Sequence, residues 1–257
     1  MSVQSFANLI DQTDRLSLLN YFENGEGKMD VRPDVTTMDP YVDQNNWPKQ
    51  IEEKICNHIC EDGWSIERIT FWKSKISFPI HADTSIGDEK NLLGKNILIP
   101  IEWHGGDAST VVFKNRWTGP QAVFMRKEKS RYRTFIPKKD GTIEEVEDIR
   151  LVEDISEFDI TKEEFEKLKD TRTKKHKGDP RISDYSLLSE YAGDVEFDSE
   201  IQQKYMKHIP LVDLHGLQID QIIEWEKDTV YAWDRQQLHC SGSGHKIKSM
   251  LTIFCRR

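Results

Sequence analysis

What most constrains this chain is a series of short runs with a period of two. WSIERITFWKSKISF (64–78), KNILIPIEW (95–103) and STVVFKNRW (109–117) come early, and LQIDQIIEW (217–225), TVYAW (229–233) and IKSMLTIFC (247–255) come late. Each is rich in β-branched and aromatic residues and bounded by Gly- or Asp-containing turns, the pattern of strands that bury one face. IPLVDL (209–214) reads as a further strand. Strands grouped before and after one long interruption point to a mainly β sandwich or barrel, closed by pairing early strands with late ones.

The rest of the chain frames that core. Residues 3–23 read as mostly helical, with Phe6, Leu9, Ile10 and Leu16 on one side and the Gly-rich NGEG (24–27) after them. A second helix is marked by Trp47, Ile51, Ile55 and Ile59, which recur every four residues, with Pro48 where a first turn tolerates it and Gly63 beyond the end. From about Arg126 to Lys207 the strand pattern gives way to a charged stretch that shows no second apolar core. Its TKEE (161–164) is a capping-box signature before Phe165 and Leu168, and DTRTKKHKGDPR (170–181) is a basic loop. We expect one domain over 1–257: helical support in 1–63, barrel strands in 64–125 and 208–257, and an insertion in 126–207 that serves as wet surface or as a lid.

Composition narrows the class of function. A net charge of −9 argues against general binding to nucleic acid or an anionic membrane, because both need clustered Lys and Arg. The start of the chain lacks a signal-peptide pattern, and no apolar run approaches a membrane span, so a soluble cytoplasmic protein is expected. Cys56 and Cys60 on the second helix, with Cys240 and Cys255 near the end, form no disulfide framework and read as small core residues.

Chemistry enters at FPIHADTS (78–85), where an apolar strand runs into His81 and Asp83. Residues i and i+2 of an extended chain share a face, so an imidazole and a carboxylate can converge there. A third metal-ligating side chain, His239, follows TVYAW and precedes SGSGH and the last strand. With His-x-Asp on an early strand and a lone His before the last one, the stretch from about Trp64 to Phe254 resembles the iron(II)/2-oxoglutarate-dependent oxygenases. That resemblance implies a double-stranded β-helix (jelly-roll, cupin-like) core, with the N-terminal helices and the charged insertion outside the shared pattern. It also implies that His81, Asp83 and His239 bind Fe(II), since two imidazoles and a carboxylate on one face leave room for the cosubstrate 2-oxoglutarate and for O2. The family releases succinate and CO2 while oxidising a substrate. A carboxylate at Asp83, rather than the small residue of halogenating relatives, favours hydroxylation or a related oxidation.

The far carboxylate of 2-oxoglutarate needs a cation, which family members commonly place on the final strand. Lys248 stands near that offset; Lys246, on the same face by alternation, and His245 in the turn are its rivals. His104 in EWHGGD, His58, His176, His208 and His215 lack partners at ligand spacing. Trp72, Trp103, Trp117 and Trp233 read first as core. Two other functions share the scaffold: a cupin-type isomerase or hydrolase using zinc or manganese, although the several His and a Glu that cupins usually present on neighbouring strands are absent around His81, and a silent relative that holds a ligand without turnover. The expected partner is a small-molecule or peptide substrate; its identity and the oligomeric state are not written in these residues.

Overall fold

In a computed structural model of the chain, residues 3–40, 47–60, 64–84, 94–118, 122–124, 134–146, 152, 154–166, 188–193 and 195–256 are described. The elements in order are β1 (Gln4–Ala7), α1 (Gln12–Asn24), β2 (Gly27–Val31), β3 (Val35–Pro40), α2 (Lys49–His58), β4 (Ser65–Ser74), β5 (His81–Ala82), β6 (Gly94–His104), β7 (Ser109–Arg116) and β8 (Ala122–Val123). They continue as β9 (Thr134–Pro137), β10 (Ile143–Val146), short helices at Ser199–Tyr205 and Leu211–Leu214, β11 (Ile219–Glu224), β12 (Thr229–Asp234), β13 (Gln237–Ser241) and β14 (Ile247–Arg256). Among the described residues no helix is long and apolar enough to cross a membrane.

Strand order decides the architecture. One sheet runs β1-β12-β6-β14-β4-β3-β2 and the other β11-β7-β13-β5-β8, with every pairing antiparallel. Number the strands β4, β5, β6, β7, β11, β12, β13 and β14 one to eight along the chain. The first sheet then holds 1-8-3-6 and the second 2-7-4-5, the interleaving that winds a double-stranded β-helix. The fold expected from the resemblance is therefore present, and early strands do pair with late ones: β14 lies between β4 and β6.

Alternation along the larger sheet sorts its residues into two cores. Ile97, Ile99, Ile101, Val230, Ala232, Leu251 and Ile253 face outward and are covered by the helices, through Leu18, Tyr21 and Phe22 of α1 and Ile51 and Ile55 of α2. Leu98, Tyr231, Trp233 and Met250 face inward and meet Val112 and Ile223 of the smaller sheet. The second helix falls where its four-residue repeat places it, with Trp47, Ile51, Ile55 and Ile59 all buried.

Elsewhere the structure corrects the sequence reading. Gln4–Ala7 is a strand on the edge of the larger sheet rather than helix, and Leu16 is exposed while Leu18, Tyr21 and Phe22 are buried. The helix begins only at the Asp11 capping box, whose side chain accepts from Asp14 N–H while Asp14 accepts from Asp11 N–H. The hairpin β2–β3 was not anticipated. IPLVDL is a helical turn after Pro210 instead of a strand.

The chain divides into two compact units, Met1–Phe124 with Asp184–Arg257, and Met125–Ser183. The first contains both sheets. Within the second, β9 and β10 form a hairpin, and Thr161 and Glu164 complete a reciprocal capping box, as their spacing predicts. Contrary to the expectation of a charged stretch with no apolar core, Ile136, Phe158 and Phe165 are buried together there. The basic TRTKKHK loop lies outside the described residues.

Candidate metal centre

The short strand β5 is held against β13 so that His81 and His239 are direct partners across the smaller sheet. Their rings lie 4.3 Å apart, centre to centre. Upstream, the Phe78 amide donates to Ser241 Oγ at 2.5 Å and Ser77 Oγ donates to the Gly242 carbonyl at 2.8 Å, so the entry into β5 is fastened to the end of β13. His239 therefore lies on a strand of its own, one short turn beyond the strand that contains TVYAW.

Asp83 follows β5 directly and completes the cluster. Its Oδ2 is 3.0 Å from His239 Nε2 and its Oδ1 is 3.7 Å from His81 Nε2. Ligand atoms about 2.1 Å from one ion and at right angles to each other lie about 3 Å apart, so the three donors fit a common metal ion. Among the described residues this is the group of His, Cys, Asp or Glu side chains gathered tightly enough to do so.

Protonation suits the same purpose. His81 Nδ1 is 2.7 Å from the Pro79 carbonyl and His239 Nδ1 is 3.1 Å from the Gln237 carbonyl. A carbonyl can only accept, so in both rings Nδ1 carries the proton and Nε2 keeps its lone pair toward the cluster. Burial, reinforced by the neighbouring His239, pushes the His81 pKa down and favours the neutral ring. Burial works against ionisation of Asp83 as well, but the charge that His239 and His81 carry when protonated, a hydrogen bond from His239 in that form, and Arg235 outweigh it and bring its pKa down to about 2. A metal cation would take the place of those ring protons and leave the imidazoles neutral. One anion and two neutral nitrogens is the donor set of a divalent transition metal.

Side chains from the larger sheet close over the cluster. Asn96 of β6 donates from Nδ2 to Asp83 Oδ2 at 2.7 Å, and Trp233 of β12, its direct partner across the sheet, stands edge-on to the His239 ring at 5.2 Å. Asn96 Oδ1 and Trp233 Nε1 are buried without a hydrogen-bond partner. Neither residue was singled out for this role by sequence. Both are strand residues whose inward direction is legible, but what they meet is settled only by the pairing of β6 with β12.

Of the two lysines, only Lys248 lies within the fold. It is 1% exposed, its Nζ has no hydrogen-bond partner, and it sits 5.3 Å from the Phe78 ring and 5.5 Å from the Trp225 ring. Burial lowers its pKa to about 7, and its charge is near enough to bear on His81 and His245. Lys246 precedes β14 and is exposed, its stem lying over Gly105. Alternation therefore does not put the two lysines on one face. His245 is buried, and burial together with Lys248 lowers its pKa to about 4.

The remaining histidines stay apart from the cluster. His104 is exposed beside Glu102, His58 Nδ1 meets the Lys54 carbonyl, and His208 Nε2 meets the Phe78 carbonyl at 3.1 Å. His176 lies outside the described residues.

No family model and no curated protein matches the sequence. Among solved structures, the chain is similar to AviO1 from Streptomyces viridochromogenes Tue57, at 10% identity and a TM-score of 0.44 over 100% of this chain and 90% of that one. It is also similar to an oxidoreductase of the 2OG-Fe(II) oxygenase family from Burkholderia pseudomallei, at 7% identity and 0.41 over 99% and 84%. A third is SnoN, a non-heme alpha-ketoglutarate-dependent epimerase of nogalamycin biosynthesis, at 6% identity and 0.43 over 99% and 78%. SnoN is also solved with Fe3+, alpha-ketoglutarate and nogalamycin RO. Likeness this distant does not bear on activity. The strand order and the His81–Asp83–His239 cluster of the chain itself are what agree with the oxygenase resemblance.

Proposed function

We propose that the protein is an Fe(II)- and 2-oxoglutarate-dependent oxygenase that oxidises, most simply by hydroxylation, an organic substrate. The observation that carries this reading is the convergence of His81, Asp83 and His239, with both Nε2 atoms freed by backbone carbonyls that hold the Nδ1 protons. Lys248 supports the 2-oxoglutarate half: an ammonium buried without a partner is costly, and the far carboxylate of a dicarboxylate would relieve it. Iron held there would supply the chemistry that couples dioxygen and the 2-oxo acid to oxidation of a substrate, with succinate and CO2 released.

The chain's own part is binding and exclusion. Asp83 offers the negative charge, and the two imidazoles offer neutral donors whose direction is set by Pro79 and Gln237. Phe78 and Trp225 flank the Lys248 ammonium and keep water from it, which strengthens its attraction for a carboxylate.

Anaerobic titration with Fe(II) tests the metal half: one ion per chain is expected, lost in His81→Ala, Asp83→Ala and His239→Ala while the fold persists. Stoichiometric iron in all three variants would contradict the assignment. A screen of organic substrates for stimulated succinate formation tests the reaction. Tight metal binding without succinate, across that screen and in the absence of substrate, would favour a silent relative.

A further inference from the structure

We propose that Arg235 is a positioning residue of the metal centre, gripping the backbone carbonyl of Asp83 and so fixing the carboxylate ligand relative to His239. The inference rests on the metal reading above, and it comes from a group that the ligand set does not use. Arg235 is buried. Its Nε and Nη2 donate to the Asp83 carbonyl at 3.0 and 2.9 Å, its Nη1 donates to Glu67 Oε2 at 2.5 Å, and its guanidinium lies 5.2 Å from the centre of the Phe254 ring.

Asp83 needs such a hold. The ladder that orders β5 ends at Ala82, where Ala82 pairs with Ala122. Of the three ligands Asp83 is therefore the one outside a strand, and among the described residues no strand pairing reaches its backbone. Two charge-assisted hydrogen bonds from a planar fork fix the carbonyl in direction as well as in distance. A carbonyl held this way limits where the Asp83 carboxylate can swing.

The grip also ties the two halves of the ligand set together. Arg235 stands in the turn between β12 and β13, four residues before His239, and its own N–H donates to the Gly94 carbonyl at 3.1 Å. One short segment thus delivers His239 on its strand and reaches across to Asp83. Gly94 makes room for the reach, since a Cβ there would come within 2.7 Å of Arg235 Cδ. Glu67 balances the buried charge and has a second cation, Arg256 Nη1, at 3.9 Å, so it is not left unpaired if Arg235 is removed.

A purely structural Arg235 would only pin the β12–β13 turn to Glu67 on β4. Co(II) titration of the full-length protein, read by its visible absorption and by affinity, separates the two roles. Arg235→Met is expected to weaken Co(II) binding by about ten- to a hundredfold and to change the spectrum as the carboxylate loosens. Arg235→Lys, which keeps the charge but loses the fork, should recover only part of this. Glu67→Gln leaves the fork on Asp83, and because Glu67 meets Arg235 and not the ligands, its Co(II) affinity should stay close to that of the parent. Parent-like affinity and spectrum in Arg235→Lys or Arg235→Met would overturn the proposal, and so would a loss in Glu67→Gln as large as in Arg235→Lys. The latter comparison decides alone if Arg235→Met does not fold. Failure of the parent protein to bind Co(II), or undiminished binding by His239→Ala, would instead overturn the metal reading and this inference with it.

Discussion

Lys248 holds an ammonium group where water does not reach, and its titration should be measurable in two ways. Burial lowers its pKa to about 7 in the folded protein from the ordinary 10.5. Between those values the unfolded chain binds a proton that the folded chain does not, so ligand-free protein should gain stability as pH rises through that window. Below about 7 the full cost of charging the buried amine is present, a few kcal/mol in order of magnitude. Urea unfolding of the parent and of Lys248→Met across this range should show the variant's advantage at its largest near neutrality and shrinking toward pH 10; a constant difference would mean the amine is hydrated. Carboxylate binding has the opposite dependence, because it needs the protonated form. Apparent affinity for 2-oxoglutarate should fall about tenfold per pH unit above 7 in the parent. In Lys248→Met it should already be weaker by the roughly 2–5 kcal/mol of a lost buried charge pair, with no such slope from the amine. Lys246→Met, exposed in the turn, should change neither curve.

At the scale of elements, the parts that were legible in sequence are those whose periodicity is imposed by burial. Helix α2 is the plainest: Ile51 and Ile55 are both fully buried against the outer face of the larger sheet. Ile55→Ala should cost about 2–5 kcal/mol in urea unfolding and leave the Co(II) affinity of the folded protein unchanged, since the residue faces away from the ligand cluster. The long strands β4, β6, β7, β12 and β14 were readable for the same reason. Strand β1 was not, because Gln4–Ala7 owes its conformation to backbone pairing with β12 and shows no alternation of its own. IPLVDL misled because a short apolar run suits a helical turn as well as a strand, and Pro210 caps the turn. Lys246 misled because alternation holds only inside a strand and β14 begins one residue later. His81, Asp83 and His239 could be picked out by residue type and order, whereas Asn96, Trp225 and Arg235 could not, since nothing in their neighbourhoods along the chain names the partner that each finds across it. The turn after β6 carries a sharper expectation. Gly106 has φ +132°, and a Cβ there would lie 2.0 Å from the Gly244 carbonyl. At a compatible position Gly to Ala would stabilise by up to ~1 kcal/mol, but Gly106→Ala should destabilise the protein by more than that amount, seen as a lower thermal midpoint.

Across the whole barrel, the candidate site lies between the two sheets and draws on both. His81 and His239 come from the smaller sheet and Asp83 from its margin; Asn96, Trp233 and Lys248 come from the larger. A ligand that touches both sheets binds the folded state and has nothing comparable to bind in the unfolded one, so it should stabilise the sandwich by mass action. At a hundred times its dissociation constant each independent ligand contributes about 2.7 kcal/mol. A metal held by His81, Asp83 and His239 would act mainly through the smaller sheet, while a dicarboxylate held in addition by Lys248 would draw on the larger sheet as well. Thermal unfolding should therefore rise in two steps: a first on saturation with Co(II), and a second when 2-oxoglutarate is added to the metal-loaded protein. Without metal the dicarboxylate should give little, since only Lys248 would hold it. Lys248→Met should keep the first step and lose most of the second, and Asp83→Ala should lose both. A second step of parental size in Lys248→Met would place the cosubstrate elsewhere and leave the buried ammonium without its anion; equal stabilisation by 2-oxoglutarate with and without metal would separate the two sites altogether.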